Sequence, residues 1–272
     1  MSKSRTGNLS ANVERFMGFA DVYDAARPQP PAEATAILSL LAGVRRAALV
    51  VDIGCGTGLS TRIWTGRARR VIGVDPSTDM LAQARTATRS RAIEFRQGFS
   101  HDTGLPAACA DIVTASQCLH WMPPEPTFRE VARVLRKGGV FAALDCDWPP
   151  VLPDWRTEEA YTEFMAAADR LRQSPQAEQG VQRWHKDGHL GRLQDSGRFR
   201  YCREIVLHQC EQGNAKRLVD LAMSFGKIQS LLKLGLSERE IGLDKFRRAA
   251  RQTLGNRRRP WYFCYRMRIG VK

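Results

Sequence analysis

The segment Val50-Val51-Asp52-Ile53-Gly54-Cys55-Gly56-Thr57-Gly58-Leu59 runs from a short apolar stretch into three glycines at alternate positions. The run Ala47 to Ile53 is β-branched toward its end and stops at glycine, which predicts a buried parallel strand. Glycines lack Cβ atoms, so a ligand can approach the backbone and the chain can take positive φ. The helix expected next points its N-terminus at that ligand. Asp75 closes the following strand, 17 residues after Gly58, where a carboxylate can accept hydrogen bonds from both hydroxyls of a ribose. Together these features predict a nucleoside site at the carboxyl edge of a sheet. A dinucleotide fingerprint, G-x-G-x-x-G, would need glycine at position 59, and Leu59 stands there.

Working outward, Leu59 to Arg69 reads as a helix, Val71 to Val74 as a strand and Pro76 to Arg89 as a helix. Ala92 to Phe95, Asp111 to Ala115 and Val140 to Leu144 supply further strands, with a helix from about Glu125 to Arg136. Strand and helix alternate through the first 147 residues, the pattern of a doubly wound α/β fold. After Asp147 the prolines of Trp148-Pro149-Pro150 and Pro153 interrupt the chain, and Thr157 to Gln173 has amphipathic helical spacing. Strand character returns at Phe199 to His208. Ser237 and Glu240 have capping-box spacing, which predicts a helix from there to Leu254 with Gly255 as its stop. Pro260 to Val271 alternates enough to close the sheet. The expected organisation is a cofactor-binding part over 1–147, a helical insertion capping the acceptor over 148–198, and strands and helices over 199–272 that complete core and cap.

With 272 residues, 43% hydrophobic and 26% charged, the chain can bury a substantial core, which excludes disorder, collagen and a disulfide-stapled miniprotein. Basic residues number 42 and acidic 28, a net charge of +14. Residues 1–147 hold 18 basic and 14 acidic side chains (+4), and residues 148–272 hold 24 and 14 (+10). A polyanion partner, an acidic substrate and a solvated basic face are all compatible with that excess. The seven cysteines show no CxxC or zinc-ligand spacing. With no apolar leader at Met1 to Asn8 and no long apolar run, the expectation is a cytoplasmic protein without a membrane span.

Asp52 followed by G-x-G-x-G resembles motif I of the class I S-adenosylmethionine-dependent methyltransferases. Val71-Ile72-Gly73-Val74-Asp75-Pro76-Ser77 with Met80 is similar to that family's second strand and ribose-binding acid. Arg96-Gln97-Gly98-Phe99-Ser100 resembles its adenine-side loop. Asp111 to Trp121 and Glu130 to Gly139 resemble its fourth strand and the helix and turn that follow. The His120-Trp121 pair and the opening Phe19 to Pro28 are similar to a small-molecule branch that includes trans-aconitate and ubiquinone-pathway methyltransferases; beyond about residue 150 the likeness fades. The resemblance implies a mostly parallel, seven-stranded, Rossmann-like sheet with a largely helical cap.

It also implies S-adenosylmethionine as cofactor and S-adenosylhomocysteine as product. By similarity, Gly54, Cys55, Gly56, Thr57 and Gly58 face the methionine part, and Asp52 reaches its amino group or orders a water there. Asp75 holds the ribose beside Pro76 and Ser77. Met80, Gly98 and Phe99 pack on the adenine and Ser100 bonds its edge. Gln117 lies beside the sulfonium, Trp121 is a further cofactor contact, and Tyr23 and Arg27 belong to a lid segment. Cys55 reads as a packing residue.

Methyl transfer from a sulfonium is a direct displacement, so alignment, desolvation and removal of one acceptor proton are the protein's tasks. His120 is the candidate base, with cofactor or substrate contact and a structural role as alternatives. Asp145 and Asp147 raise a metal of the catechol-methyltransferase kind, yet such a site also wants an acid after the fourth strand, where Ser116 and Gln117 stand; no metal is expected. The expected activity is methyl transfer to O or N of a small molecule, anionic if the basic residues turn inward. The alternatives are a nucleic-acid methyltransferase, disfavoured by Ser116-Gln117-Cys118-Leu119 in place of an Asn-Pro-Pro-Tyr type motif, and a cofactor-binding fold recruited to a non-methylating role.

Overall fold

The computed structural model describes residue 24 and residues 26–172 and 182–272. Strand β1 (Ala47–Ile53) is flanked in parallel by β2 (Ala68–Asp75) and β4 (Ala110–Ser116), with Val50 opposite both Val71 and Ile112. Strand β3 (Ile93–Gln97) extends the sheet beyond β2, and β5 (Leu135–Cys146) extends it beyond β4. Two long antiparallel strands finish it, β6 (Tyr201–Gly213) and β7 (Arg259–Val271). The order is β3-β2-β1-β4-β5-β7-β6, seven strands in one mostly parallel sheet.

Both faces of this sheet are covered, which is why its parallel strands are continuous apolar runs. Successive side chains point to opposite faces. Thus Val51, Ile72, Val113 and Phe141 pack under helix α4 (Pro124–Val134) with Phe128 and Val131. Their neighbours Val50, Val71, Ile112 and Val140 pack on the other face with Leu38 of helix α1 (Glu33–Leu41) and Trp64. The interleaved clusters are the doubly wound architecture expressed residue by residue.

A third core lies beyond the carboxyl ends of β5 and its neighbours. Helices α5 (Trp155–Leu171), α7 (Ala215–Met223), α8 (Gly226–Lys233) and α9 (Leu243–Leu254) bury Phe164, Leu218, Ile228 and Phe246 against Trp261, Phe263 and Tyr265 of β7. The rings of Phe164 and Phe246 stack at 5.0 Å. Strand β7 therefore serves two cores: its first half faces the helical layer, and Met267 and Ile269 belong to the sheet. The remaining α-helices among the described residues are α2 (Leu59–Arg62), α3 (Thr78–Ala87) and α6 (His189–Asp195).

Two expected elements differ. The helix read from Leu59 to Arg69 ends at Arg62, because turns and Gly66 at φ +75° reverse the chain and Arg69 already lies in β2. Ser237 and Glu240 do form the reciprocal box, with the Ser237 amide donating to Glu240 Oε2 at 2.8 Å and the Glu240 amide to Ser237 Oγ at 3.3 Å. That box closes a separate turn, and Gly242 at φ +79° intervenes before α9 begins at Leu243.

Candidate functional site

At the carboxyl end of β1 the chain turns through the glycine loop. The Gly54 amide donates to Val74 O at 2.7 Å, and Gly54 has φ +63°. A Cβ there would lie 2.5 Å from Met122 Cε and 2.9 Å from Cys118 Cβ, so both conformation and space require glycine. Gly56, at φ +53°, has nothing within 4 Å of an added Cβ; the loop is open on the side that faces the cavity.

Asp75 ends β2 beside this loop. Its Oδ2 accepts from the Gly56 amide and its Oδ1 from the Ser77 amide, both at 2.9 Å. Each carboxylate oxygen keeps a lone pair beyond the amide it serves. Burial is the larger influence on the carboxyl and, against these two bonds, raises its pKa from 3.8 to about 6. Ser77 also caps α3 by accepting from the Met80 amide at 3.3 Å, which puts Pro76, Ser77 and Met80 on the cavity wall. Of the expected cofactor contacts, Arg27, Gly54, Cys55, Gly56, Thr57, Asp75, Pro76, Ser77, Met80, Gln117 and Trp121 line this one cavity.

Others stand elsewhere. Asp52 is completely buried; Oδ2 accepts from Ser60 Oγ and Thr61 Oγ1 and Oδ1 from Thr114 Oγ1, each at 2.7 Å. It pins α2 and β4 to β1 behind the loop and does not line the cavity, contrary to the expected contact with an amino group. Gly58 is the helix N-cap at φ +82°, and its missing Cβ makes room for Phe95. Ser100 Oγ is engaged with Thr127 Oγ1 at 2.9 Å, and Phe99 stacks on His101 at the surface. Gly98 lies against Val74 and the Asp102 backbone. None of these four lines the cavity. Tyr23 lies outside the described residues.

A second cavity, of about 610 Å³, adjoins the first and shares Arg27, Gln117, Trp121, Cys146 and Trp148 with it. His120 lines it from a short 3₁₀ turn, Leu119–Trp121. Its backbone oxygen accepts from the Trp184 amide at 2.9 Å, which ties the chain beyond α5 to the site. Five cations and two carboxylates, Asp147 and Asp169, stand in the wall. Arg27 lies 3.9 Å above the Phe225 ring, and Arg183 sits 5.4 Å over Trp121. Arg172 is buried, and Lys227 donates to Asp169 Oδ2 at 2.7 Å.

Behind His120, the buried Asp145 is gripped by Lys186 Nζ on Oδ1 and by Arg268 Nη1 on Oδ2, both at 3.0 Å. His120 Nδ1 is 3.9 Å and His189 Nε2 3.8 Å from the same carboxylate. Burial lowers the His189 pKa to about 4, so its ring is neutral. Arg192 Nη2 lies 2.8 Å from His189 Nδ1 and can only donate, which puts the ring proton on Nε2, facing Asp145. His120, Asp145 and His189 bring possible ligand atoms within 4.8 Å of one another. Yet one imidazole presents a proton and both carboxylate oxygens lie against cations, so the trio is ill suited to a metal. Asp147 pairs with Arg266 at 3.0 Å.

Sequence reading missed Cys146, Tyr265 and Lys186. Tyr265 reaches the cavity only because β7 pairs antiparallel with β5 and sets it opposite Cys146, a register that no local pattern announces.

Residues 51–143 match the family model described as a methyltransferase domain. Trans-aconitate 2-methyltransferase of Azoarcus sp. is 41% identical over 99 residues, 35% of this chain and 38% of that protein. Malonyl-[acyl-carrier protein] O-methyltransferase of Pectobacterium atrosepticum is 30% identical over 136 residues, 50% and 53% of the two. The chain spans about half or less of the length of the curated relatives it matches. A solved structure from Anaeromyxobacter dehalogenans, proposed to be a type II methyltransferase, is similar at a TM-score of 0.60 and 25% identity over 90% of this chain and 97% of that one. With motif I, its acid partner and the sheet order in agreement, residues 51–143 form a methyltransferase domain, and the chain is similar in sequence and fold to S-adenosylmethionine-dependent methyltransferases.

Proposed function

We propose that this chain transfers the methyl group of S-adenosylmethionine to an oxygen or nitrogen atom of a small anionic molecule. The observation that carries the reading is the pair of adjoining cavities, one built on the glycine loop and Asp75, the other walled by cations. The first suits the cofactor: the loop is open at Gly56, and Asp75 has acceptor capacity left for ribose hydroxyls. Pro76 and Met80 offer an apolar wall for adenine, and Gly54, Cys55 and Thr57 border the methionine end. Bound there, S-adenosylmethionine supplies an electrophilic methyl group on a sulfonium with a neutral thioether as leaving group.

The chain's own residues do the remaining work. Residues 148–172 and 182–198, with helices of 199–272, cap the acceptor, and Trp121, Trp148 and Phe225 exclude water from the reacting end. Excess cations attract an anion, in keeping with the tricarboxylate named for the Azoarcus relative. An alcohol, phenol or amine must shed a proton, and His120, with Asp145 behind it, is the group placed to take it. Incubation with methyl-tritiated cofactor and fractionated small-molecule pools tests this. Transfer into an anionic fraction is expected; binding of S-adenosylhomocysteine with no transfer to any pool would overturn it.

A further inference from the structure

We infer that the atom methylated is a carboxylate oxygen, and that Gln117, oriented by Lys186, selects it; this rests on the methyl-transfer reading above. Gln117 sits where the two cavities meet and lines both. It directly follows β4 at φ +57°, a left-handed conformation rare for a side chain of this size, with its backbone amide donating to Leu144 O at 2.8 Å. Its Oε1 lies 3.0 Å from Lys186 Nζ. An ammonium only donates, so the atom facing it is the amide oxygen and the orientation of the carboxamide is fixed. The Nε2 is consequently turned the other way. It is buried and has no hydrogen-bond partner among the described residues.

A buried N–H group left unpaired costs free energy that a ligand can recover. Lys186 is itself held, since its Nζ is also 3.0 Å from Asp145 Oδ1, while Arg268 occupies Oδ2. The chain Arg268, Asp145, Lys186, Gln117 thus fixes the carboxamide of a side chain that lines both cavities, and leaves its Nε2 as a buried donor for a ligand to engage. The complement of an N–H donor beside an ammonium is an oxygen bearing negative charge. An amine would bring N–H groups and a positive charge to the same place. Alcohols and phenols arrive protonated at neutral pH, whereas a carboxylate arrives ionised. One carboxylate oxygen accepts from Nε2 and the other attacks; the excess of cations over carboxylates in the wall of the second cavity suits a second anionic group on the same molecule.

The step balances without a co-reactant. A lone pair on the carboxylate oxygen forms the new O–CH3 bond as the S–CH3 bond breaks. That bonding pair moves to sulfur and cancels its positive charge. The acceptor loses one negative charge on becoming an ester, and no proton is released. Transfer to an alcohol, phenol or ammonium group releases one proton per turnover.

Methyl-tritiated cofactor is offered to separate pools of di- and tricarboxylates, of phenols and of amines, with proton release followed in weakly buffered solution. The expected result is label in the carboxylate pool that mild alkali converts to volatile methanol, with no proton released. Alkali-stable label, or label only in phenols or amines, overturns the carboxylate assignment and leaves methyl transfer standing. Absence of label from every pool, with S-adenosylhomocysteine bound, refutes both. For Lys186→Met the Michaelis constant for the carboxylate should rise about tenfold or more, with S-adenosylhomocysteine affinity within about twofold of the parent and partial recovery in Lys186→Arg. An unchanged Michaelis constant removes Lys186 from the assignment.

Discussion

Replacing Asp75 by asparagine separates what this residue does for the cofactor from what it does for the fold. One of its two oxygens becomes an NH2 group facing a backbone amide donor now held at 2.9 Å, so one loop bond is lost along with a charged acceptor for the ribose. A hydrogen bond to a charged group is worth about 1.5–3 kcal/mol, which predicts S-adenosylhomocysteine affinity weaker by about tenfold to 150-fold at pH 7.5. Stability should move the other way. Burial raises the folded-state pKa of Asp75 from 3.8 to about 6, so the unliganded protein binds this proton more readily than the unfolded chain. Its stability falls as pH rises from about 4 to 6, by about 3 kcal/mol for that group. Asparagine escapes this cost, and loss of a backbone bond offsets part of the gain. At pH 7.5 the unliganded variant should therefore melt no lower than the parent while binding poorly. Parent affinity should also decline as pH drops below about 6, with a flat profile in the variant. Titration calorimetry from pH 5 to 8, with thermal unfolding of the unliganded proteins, measures both. Affinity within twofold of the parent, or equal pH profiles, would refute the placement of Asp75 against the ribose.

Asp52→Ala has the opposite signature: it strips three buried hydroxyls of their acceptor and should cost about 2–4 kcal/mol in urea unfolding, with near-parental cofactor affinity in the folded fraction. Gly54→Ala drives a methyl group into Met122 and Cys118 at positive φ, so a loss of about 2 kcal/mol or more is expected, accompanied by weaker cofactor binding; an unaltered melting temperature would contradict the loop geometry. With a carboxylate acceptor, His120→Gln should keep turnover within about tenfold and leave no base-dependent limb between pH 6 and 8 to lose. Loss of such a limb would make His120 a proton acceptor and the acceptor a protonated group.

The nucleotide half of this molecule was readable because its signals are local. An apolar strand, three glycines and Asp75 lie within a few dozen residues, and Gly54, Gly56 and Asp75 meet at the cavity. Asp52 misled because its partner Thr114 comes from a strand 62 residues away, and only the folded register shows its oxygens taken up by Ser60, Thr61 and Thr114. Ser100 likewise faces Thr127 across 27 residues. Beside the second cavity, Lys186, Asp145 and Arg268 meet only because β7 inserts between β5 and β6; no spacing foretells that. The net charge of +14 gains a partial address: some of its cations line the second cavity, and Arg266 and Arg268 are spent on Asp147, Asp145 and Glu204.

Methyl-tritiated S-adenosylmethionine, given to the chain with small organic anions in one vessel and RNA in another, separates the two acceptor classes in one assay. Label is expected in the small-anion fraction, lost in Asp75→Asn at limiting cofactor. Label in RNA, or none anywhere while S-adenosylhomocysteine binds, would contradict transfer to a small anion.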